Sequence, residues 1–193
     1  MKTYKLILML IAFISSGLSL NAQTGGVYKT YADYTNGKME ASIDCKNEKG
    51  RIRSNDLFSK DYITVVDNGE KRNYKKNEIF GYQLCNGKFY RFLGKRHIPL
   101  AEKGAIWIYT FEVFESISPK HGTKRVTKYY FSKGGDDPIK YLSLKNLKDA
   151  FAENHKLIDR IDSQFSTDAS LSNLDGNNKR FRINNFLESP QMQ

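Results

Sequence analysis

Ten consecutive residues, Lys88-Phe89-Tyr90-Arg91-Phe92-Leu93-Gly94-Lys95-Arg96-His97, interleave cations with aromatic rings. Alternate side chains of a strand share one face. Such a face can stack on bases or sugars while its cations hold phosphates or uronates. Lys88, Tyr90, Arg91, Lys95 and Arg96 are therefore the candidate binding residues. A purely structural role competes with this: one face packs inward and the Lys and Arg stems lie along the other. The stretch lacks the glycine-containing signature of an RNA-recognition strand.

Catalytic chemistry is thinly supplied. The three histidines, His97, His121 and His155, are dispersed. No two stand four apart on a helix, as a zinc hydrolase requires, and each is expected at the surface or as a cap. Gly81 and Gly87-Lys88 have five residues between the glycines where a phosphate loop has four, and Phe89 replaces the hydroxyl. Asp175-Gly176-Asn177-Asn178 is rich in oxygen ligands, but Leu171 stands where a calcium loop needs an acid. No Gly-x-Ser-x-Gly elbow and no Ser-x-x-Lys pair occurs. Asp136 and Asp137 are loop acids that a polymer hydrolase could use, although adjacent acids beside glycines are common turn chemistry. No catalytic residue, metal ligand or cofactor is assigned from the sequence.

Two cysteines, Cys45 and Cys85, fit a disulfide and equally fit two small apolar core residues. A free Cys85 thiolate as nucleophile would suit an oxidising compartment poorly.

The elements that must position these groups are mostly strands. Residues 38–142 read as strand, turn, strand, with strands at 62–66, 71–75, 79–84, 88–93, 97–101, 105–114, 125–132 and 139–142. Asn68-Gly69 and Asn86-Gly87 supply hairpin turns. The run 105–114 is apolar on both faces and is expected to be covered on both for much of its length. No helical crossover separates the strands, so the sheet should be antiparallel, either barrel-like or two packed sheets. Val27-Tyr28 can begin a further strand and Tyr31 to Tyr34 a helical turn.

At Ser143, an N-cap, the period changes to helical. Leu144, Leu147, Ala150 and Phe151 form one stripe; Leu157, Ile158, Ile161 and Phe165, after an Asn154 cap, form another. A polar stretch at 166–178 precedes a last helix carrying Phe181, Ile183, Phe186 and Leu187. The fold class is thus α+β: an antiparallel meander (38–142) followed by a helical C-terminal part (143–193), in a single domain of residues 23–193.

Residues 1–22 read as a cleaved export signal: Lys2 and Lys5, an apolar core at 6–14, and a small-residue site ending at Ala22. That core is too short to span a bilayer, which needs roughly 20 residues, and no later apolar run is long enough. Removing two of 31 cations and none of 21 acids leaves a charge of 29 − 21 = +8. A basic protein outside the cytosol meets anionic lipids, acidic polysaccharides and other proteins before nucleic acid.

The chain resembles a group of uncharacterised secreted proteins of Bacteroidetes bacteria. The residues that carry the likeness are Asn21-Ala22-Gln23, Gly26-Val27-Tyr28-Lys29-Thr30, Asn77-Glu78-Ile79-Phe80-Gly81-Tyr82 and Tyr90-Arg91-Phe92. Leu142-Ser143-Leu144-Lys145-Asn146-Leu147-Lys148-Asp149-Ala150-Phe151 and Asn154-His155-Lys156 complete it. The resemblance implies export and carries no activity. The expectation is an exported, periplasmic or secreted, non-catalytic binding or accessory protein with an anionic or protein partner. An envelope-polymer hydrolase and a subunit of an envelope assembly are the alternatives.

Overall fold

The structure is a computed structural model that describes residues 24–46, 50–56, 60–118 and 122–189. The expected leader and His121 lie outside the described residues. Eleven strands are described: β1 (Thr24–Tyr28), β2 (Ala41–Asp44), β3 (Arg51–Arg53), β4 (Tyr62–Asp67), β5 (Glu70–Lys75), β6 (Gly81–Gln83), β7 (Phe89–Leu93), β8 (Arg96–Lys103), β9 (Trp107–Ser118), β10 (Gly122–Ser132) and β11 (Lys140–Tyr141). The helices are α1 (Tyr31–Thr35), α2 (Leu144–Ala150), α3 (His155–Gln164), α4 (Asp168–Leu171) and α5 (Arg182–Leu187).

Every strand pairing is antiparallel. Eight strands form one sheet in the order β11-β10-β9-β8-β7-β6-β1-β2, and β3-β4-β5 form a second. Of the two arrangements expected, two packed sheets are observed and a barrel is not, and the order of strands departs from a simple meander. The large sheet is not a closed barrel: short β2 and the two-residue β11 are its edges. The meander is also not continuous, because β1 lies between β2 and β6. Val27 and Tyr28 send adjacent side chains to opposite faces, and both are buried, so β1 is needed in the interior of the sheet.

Register defines the two faces. Tyr82 opposes Tyr90, Tyr90 opposes Pro99 and Phe92 opposes His97, so these side chains share face A with Val27. Phe89, Arg91, Ile98, Trp107 and Tyr109 point to face B.

Face A is covered at both ends by different layers. The helices pack on Ile106, Ile108 and Phe131 through Leu147, Leu157, Ile161, Phe165, Leu171 and Ile183. The small sheet packs Ile63 and Val65 on Val27, Ile43 and Tyr82. Face B carries an aromatic cluster of Tyr28, Phe89, Trp107 and Tyr109, against which α1 places Tyr31 and Tyr34. Gly135 is required at the rim of this cluster, because a Cβ there would run into the Tyr31 ring.

Local chemistry explains the elements. Tyr62-Ile63-Thr64-Val65-Val66 is β-branched and aromatic. Asn68 and Gly69 both take positive φ in the turn that follows. Ser143 and Asn154 cap α2 and α3 through Asn146 N–H and Leu157 N–H. Thr30 and Asp33 close a capping box on α1. Helix α4, inside the stretch read as an interruption, is capped by Thr167 and buries Leu171 completely.

The long β9–β10 hairpin departs from expectation. Its neighbours reach only Tyr109 on one side and Tyr130 and Phe131 on the other. Beyond Thr110 it is a two-stranded ribbon, and Phe114 is 69% exposed. Coverage on both faces holds for Ile106 to Tyr109 alone.

Cys45 and Cys85 form a disulfide with Cα atoms 5.4 Å apart, joining the end of edge strand β2 to the β6–β7 turn. Closing 40 residues of chain stabilises by about 4 kcal/mol in the chain-entropy description.

Candidate functional site

Strand alternation separates the candidate binding residues. Tyr90 lies on face A, its ring stacked on Tyr82 at 5.0 Å and 8°. Arg91 lies on face B, where its guanidinium covers the Phe80 ring at 4.7 Å. It donates to the Tyr109 hydroxyl at 3.3 Å and to the Asp137 carbonyl at 3.1 Å. Its buried Nε has no partner among the described residues. Arg91 therefore braces the Asp136-Asp137 loop against the sheet and is no part of a shared surface with Tyr90. Lys88 is exposed in the β6–β7 turn, and Lys95 and Arg96 are exposed at the β7–β8 tip. Lys95 and Arg96 line a shallow depression of about 440 Å³ with Asp56, Leu93 and Phe111. The Arg96 guanidinium lies 5.5 Å from the Phe111 ring centre.

The middle of face A, between the helical layer and the small sheet, holds a polar cluster that the sequence did not announce. Lys76, just after β5, has a side chain only 2% exposed. It donates to Asp56 Oδ1 at 2.6 Å and to the Lys95 carbonyl at 2.6 Å. Asp56 Oδ2 is 3.0 Å from His97 Nδ1, and the Tyr82 hydroxyl is 2.8 Å from the same nitrogen. The tautomer that satisfies the Asp56 contact carries its proton on Nδ1 and donates it to the carboxylate.

Nε2 of His97 makes no hydrogen bond to the described residues, and the ring is 28% exposed. Burial pulls the His97 pKa below its ordinary value; Asp56 opposes this, and Lys76 reinforces it. Burial also drives the Tyr82 hydroxyl far above the usual phenol range, with Tyr90 and Asp56 adding to the effect.

This corrects the expectation for His97, which is a half-buried network member rather than a surface residue. His155 does occupy an exposed helix start. No spacing rule could find the cluster, since its members come from four separate loops and strands.

An oriented imidazole beside a carboxylate can act as a base, but this cluster is arranged as a joint. It ties the loop after β3, the loop after β5 and the β7–β8 hairpin together. Asp136 is exposed and Asp137 half-buried; the 180 Å³ recess beside them, lined by Phe131, Lys133, Asp137, Pro138, Lys140 and Ala150, contains one carboxylate. Two-carboxylate glycoside chemistry needs a facing pair. Among the described residues no three His, Cys, Asp or Glu side chains gather as a metal site, and no helix is long and apolar enough to cross a membrane. Comparison of the chain with protein-family models, curated proteins and solved structures finds no match.

Proposed function

We propose that this is an exported, non-catalytic binding or accessory protein of the bacterial envelope that engages an anionic partner through basic β surface. The observation that carries the reading is unpaired cationic charge on strands and hairpins. Lys88, Lys95 and Arg96 are exposed, and none has a carboxylate at ion-pair distance among the described residues. The leader-like start, the mature charge of +8 and a disulfide, which persists in oxidising compartments, all accord with it. The buried ionisable groups, by contrast, are committed to one another.

The test is retention of the native protein on isolated envelope fractions as salt is raised. Attraction between surface charges is screened within about 8 Å at physiological ionic strength, so release should be progressive with salt. Retention indifferent to salt, or none at low salt, sinks the reading.

A further inference from the structure

Register in the small sheet separates its side chains as sharply as in the large one. Ile52, Ile63, Val65 and Tyr74 pack inward. The outward set follows from the pairing: Arg51 opposes Val66, which opposes Lys71; Arg53 opposes Thr64, which opposes Asn73; Tyr62 opposes Lys75. Arg51, Arg53, Lys71 and Lys75 are all exposed. Neighbouring outward positions are about 7 Å apart along a strand and β3 and β5 about 10 Å apart across the sheet, so these cations form a grid.

Among the described residues, acids lie away from Arg51, Arg53 and Lys71. Asp67 and Glu70 fall on the opposite side at the hairpin end, where Glu70 pairs with Arg72 at 2.9 Å. Glu78 pairs with Lys75 at 2.9 Å, and Asp61 lies near the same lysine. Arg51, Arg53 and Lys71 have no carboxylate at ion-pair distance among the described residues.

Between the cationic rows runs a hydrogen-bonding row. Asn55 Nδ2 donates to Thr64 Oγ1 at 3.0 Å, and Thr64 donates to Asn73 Oδ1 at 2.8 Å. This chain orients the Asn73 amide N–H groups and Asn55 Oδ1, which make no further bond to the described residues, while the Asn55 main-chain carbonyl accepts from Lys60 N–H at 3.4 Å. Among the described residues this face has no exposed apolar side chain: Val66 is buried and Tyr62 half-buried, and the large exposed hydrophobics, Phe114, Tyr141 and Leu174, are on other elements. Insertion into a lipid surface and a protein–protein interface core both need such groups.

We infer that the outer face of the small sheet, built on Arg51, Arg53, Lys71 and the Asn55–Thr64–Asn73 row, is a docking surface for an acidic polysaccharide. Guanidinium forks match carboxylates or sulfates in bidentate fashion, and the amide and hydroxyl row matches sugar hydroxyls between them. The inference rests on the reading of an anionic envelope partner and names its chemistry and place.

The experiment measures binding of the full mature protein to polygalacturonate, and in parallel to phosphatidylglycerol vesicles, at physiological salt. Wild type should bind the polymer and leave the vesicles unbound. Arg51→Glu/Arg53→Glu/Lys71→Glu should weaken polymer binding at least tenfold. The neutral Arg51→Gln/Arg53→Gln/Lys71→Gln should weaken it less, with unchanged thermal unfolding as proof of folding. The charge-matched control Lys140→Glu/Lys156→Glu/Lys179→Glu, at the helical end, should bind within threefold of wild type. Equal binding by the sheet variants, loss confined to Lys95→Glu/Arg96→Glu, or preference for vesicles overturns the inference while salt-sensitive envelope retention still upholds the broader reading. Failure of both assays removes the two together.

Discussion

Two covering layers rest on the same face of one sheet, yet they are fastened by chemically different joints. At the helical end Asn184 is fully buried and behaves like a strand neighbour. Its Oδ1 accepts from Ile106 N–H at 3.0 Å, and its Nδ2 donates to the Ile106 carbonyl at 3.1 Å and to Glu102 at 2.8 Å. Glu102 also accepts from Phe181 N–H at 2.8 Å, and Arg180 bridges Glu102 and Glu188. At the small-sheet end the joint is Lys76, Asp56, His97 and Tyr82. The first joint satisfies the backbone groups of Ile106 beside the sheet and the Phe181 N–H at the start of α5. The second contains an imidazole, His97, whose pKa burial lowers. Equivalent mechanical roles thus differ in their sensitivity to acid.

Asn184→Ala should have the largest effect. It strands the Ile106 N–H in the interior, and a buried unpaired group costs about 1–3 kcal/mol; it also takes a donor from the Glu102 carboxylate and from the Ile106 carbonyl, which keeps the Gly104 N–H at 3.2 Å. A total of about 3–5 kcal/mol, read by denaturant unfolding, is expected; a loss below 1 kcal/mol would show that the helical layer does not depend on this joint.

Lys76→Met comes next, at about 2–3 kcal/mol, because it leaves the Asp56 carboxylate partly buried without its cation. Lys76→Met/Asp56→Asn should recover much of that, since removing both charges also removes the unpaired one. Additive single losses in this cycle would deny the coupling.

The smallest effect is the acid response. His97 has its pKa lowered in the fold, so the unfolded chain binds the proton first. The stability held by the neutral ring is complete above the ordinary value of about 6.5 and is lost as pH falls from there toward the folded pKa. Wild type should therefore lose stability on mild acidification, and His97→Gln should flatten that portion of the curve. Identical profiles would show that the ring is indifferent to its neighbours.

Much of the architecture was legible because it depends on short-range rules. Asn68-Gly69 placed a hairpin, Ser143 and Asn154 placed two helix starts, and the Leu157, Ile161 and Phe165 stripe placed a buried face. The candidate binding stretch was half legible. Its strand was recognised, but alternation sends Tyr90 and Arg91 to opposite faces, and the grouping failed because it ignored which face each layer would cover. Asp56 and Lys76 went unseen for a different reason: a carboxylate and an amine twenty positions apart carry no pattern until two sheets meet. The cationic grid on β3 and β5 was equally hidden, since Arg51 and Lys71 share a face only through their common partner, Val66.

Period, turn chemistry and caps act within a few residues of chain, so the local order of residues set the strands, the C-terminal helices and the antiparallel class. The open sheet, the insertion of β1 between β2 and β6, the bridging of Cys45 to Cys85 and the convergence of Lys76, Asp56, His97 and Tyr82 were decided only in three dimensions. Each depends on pairings between distant segments, whose energies exist only once the layers have packed.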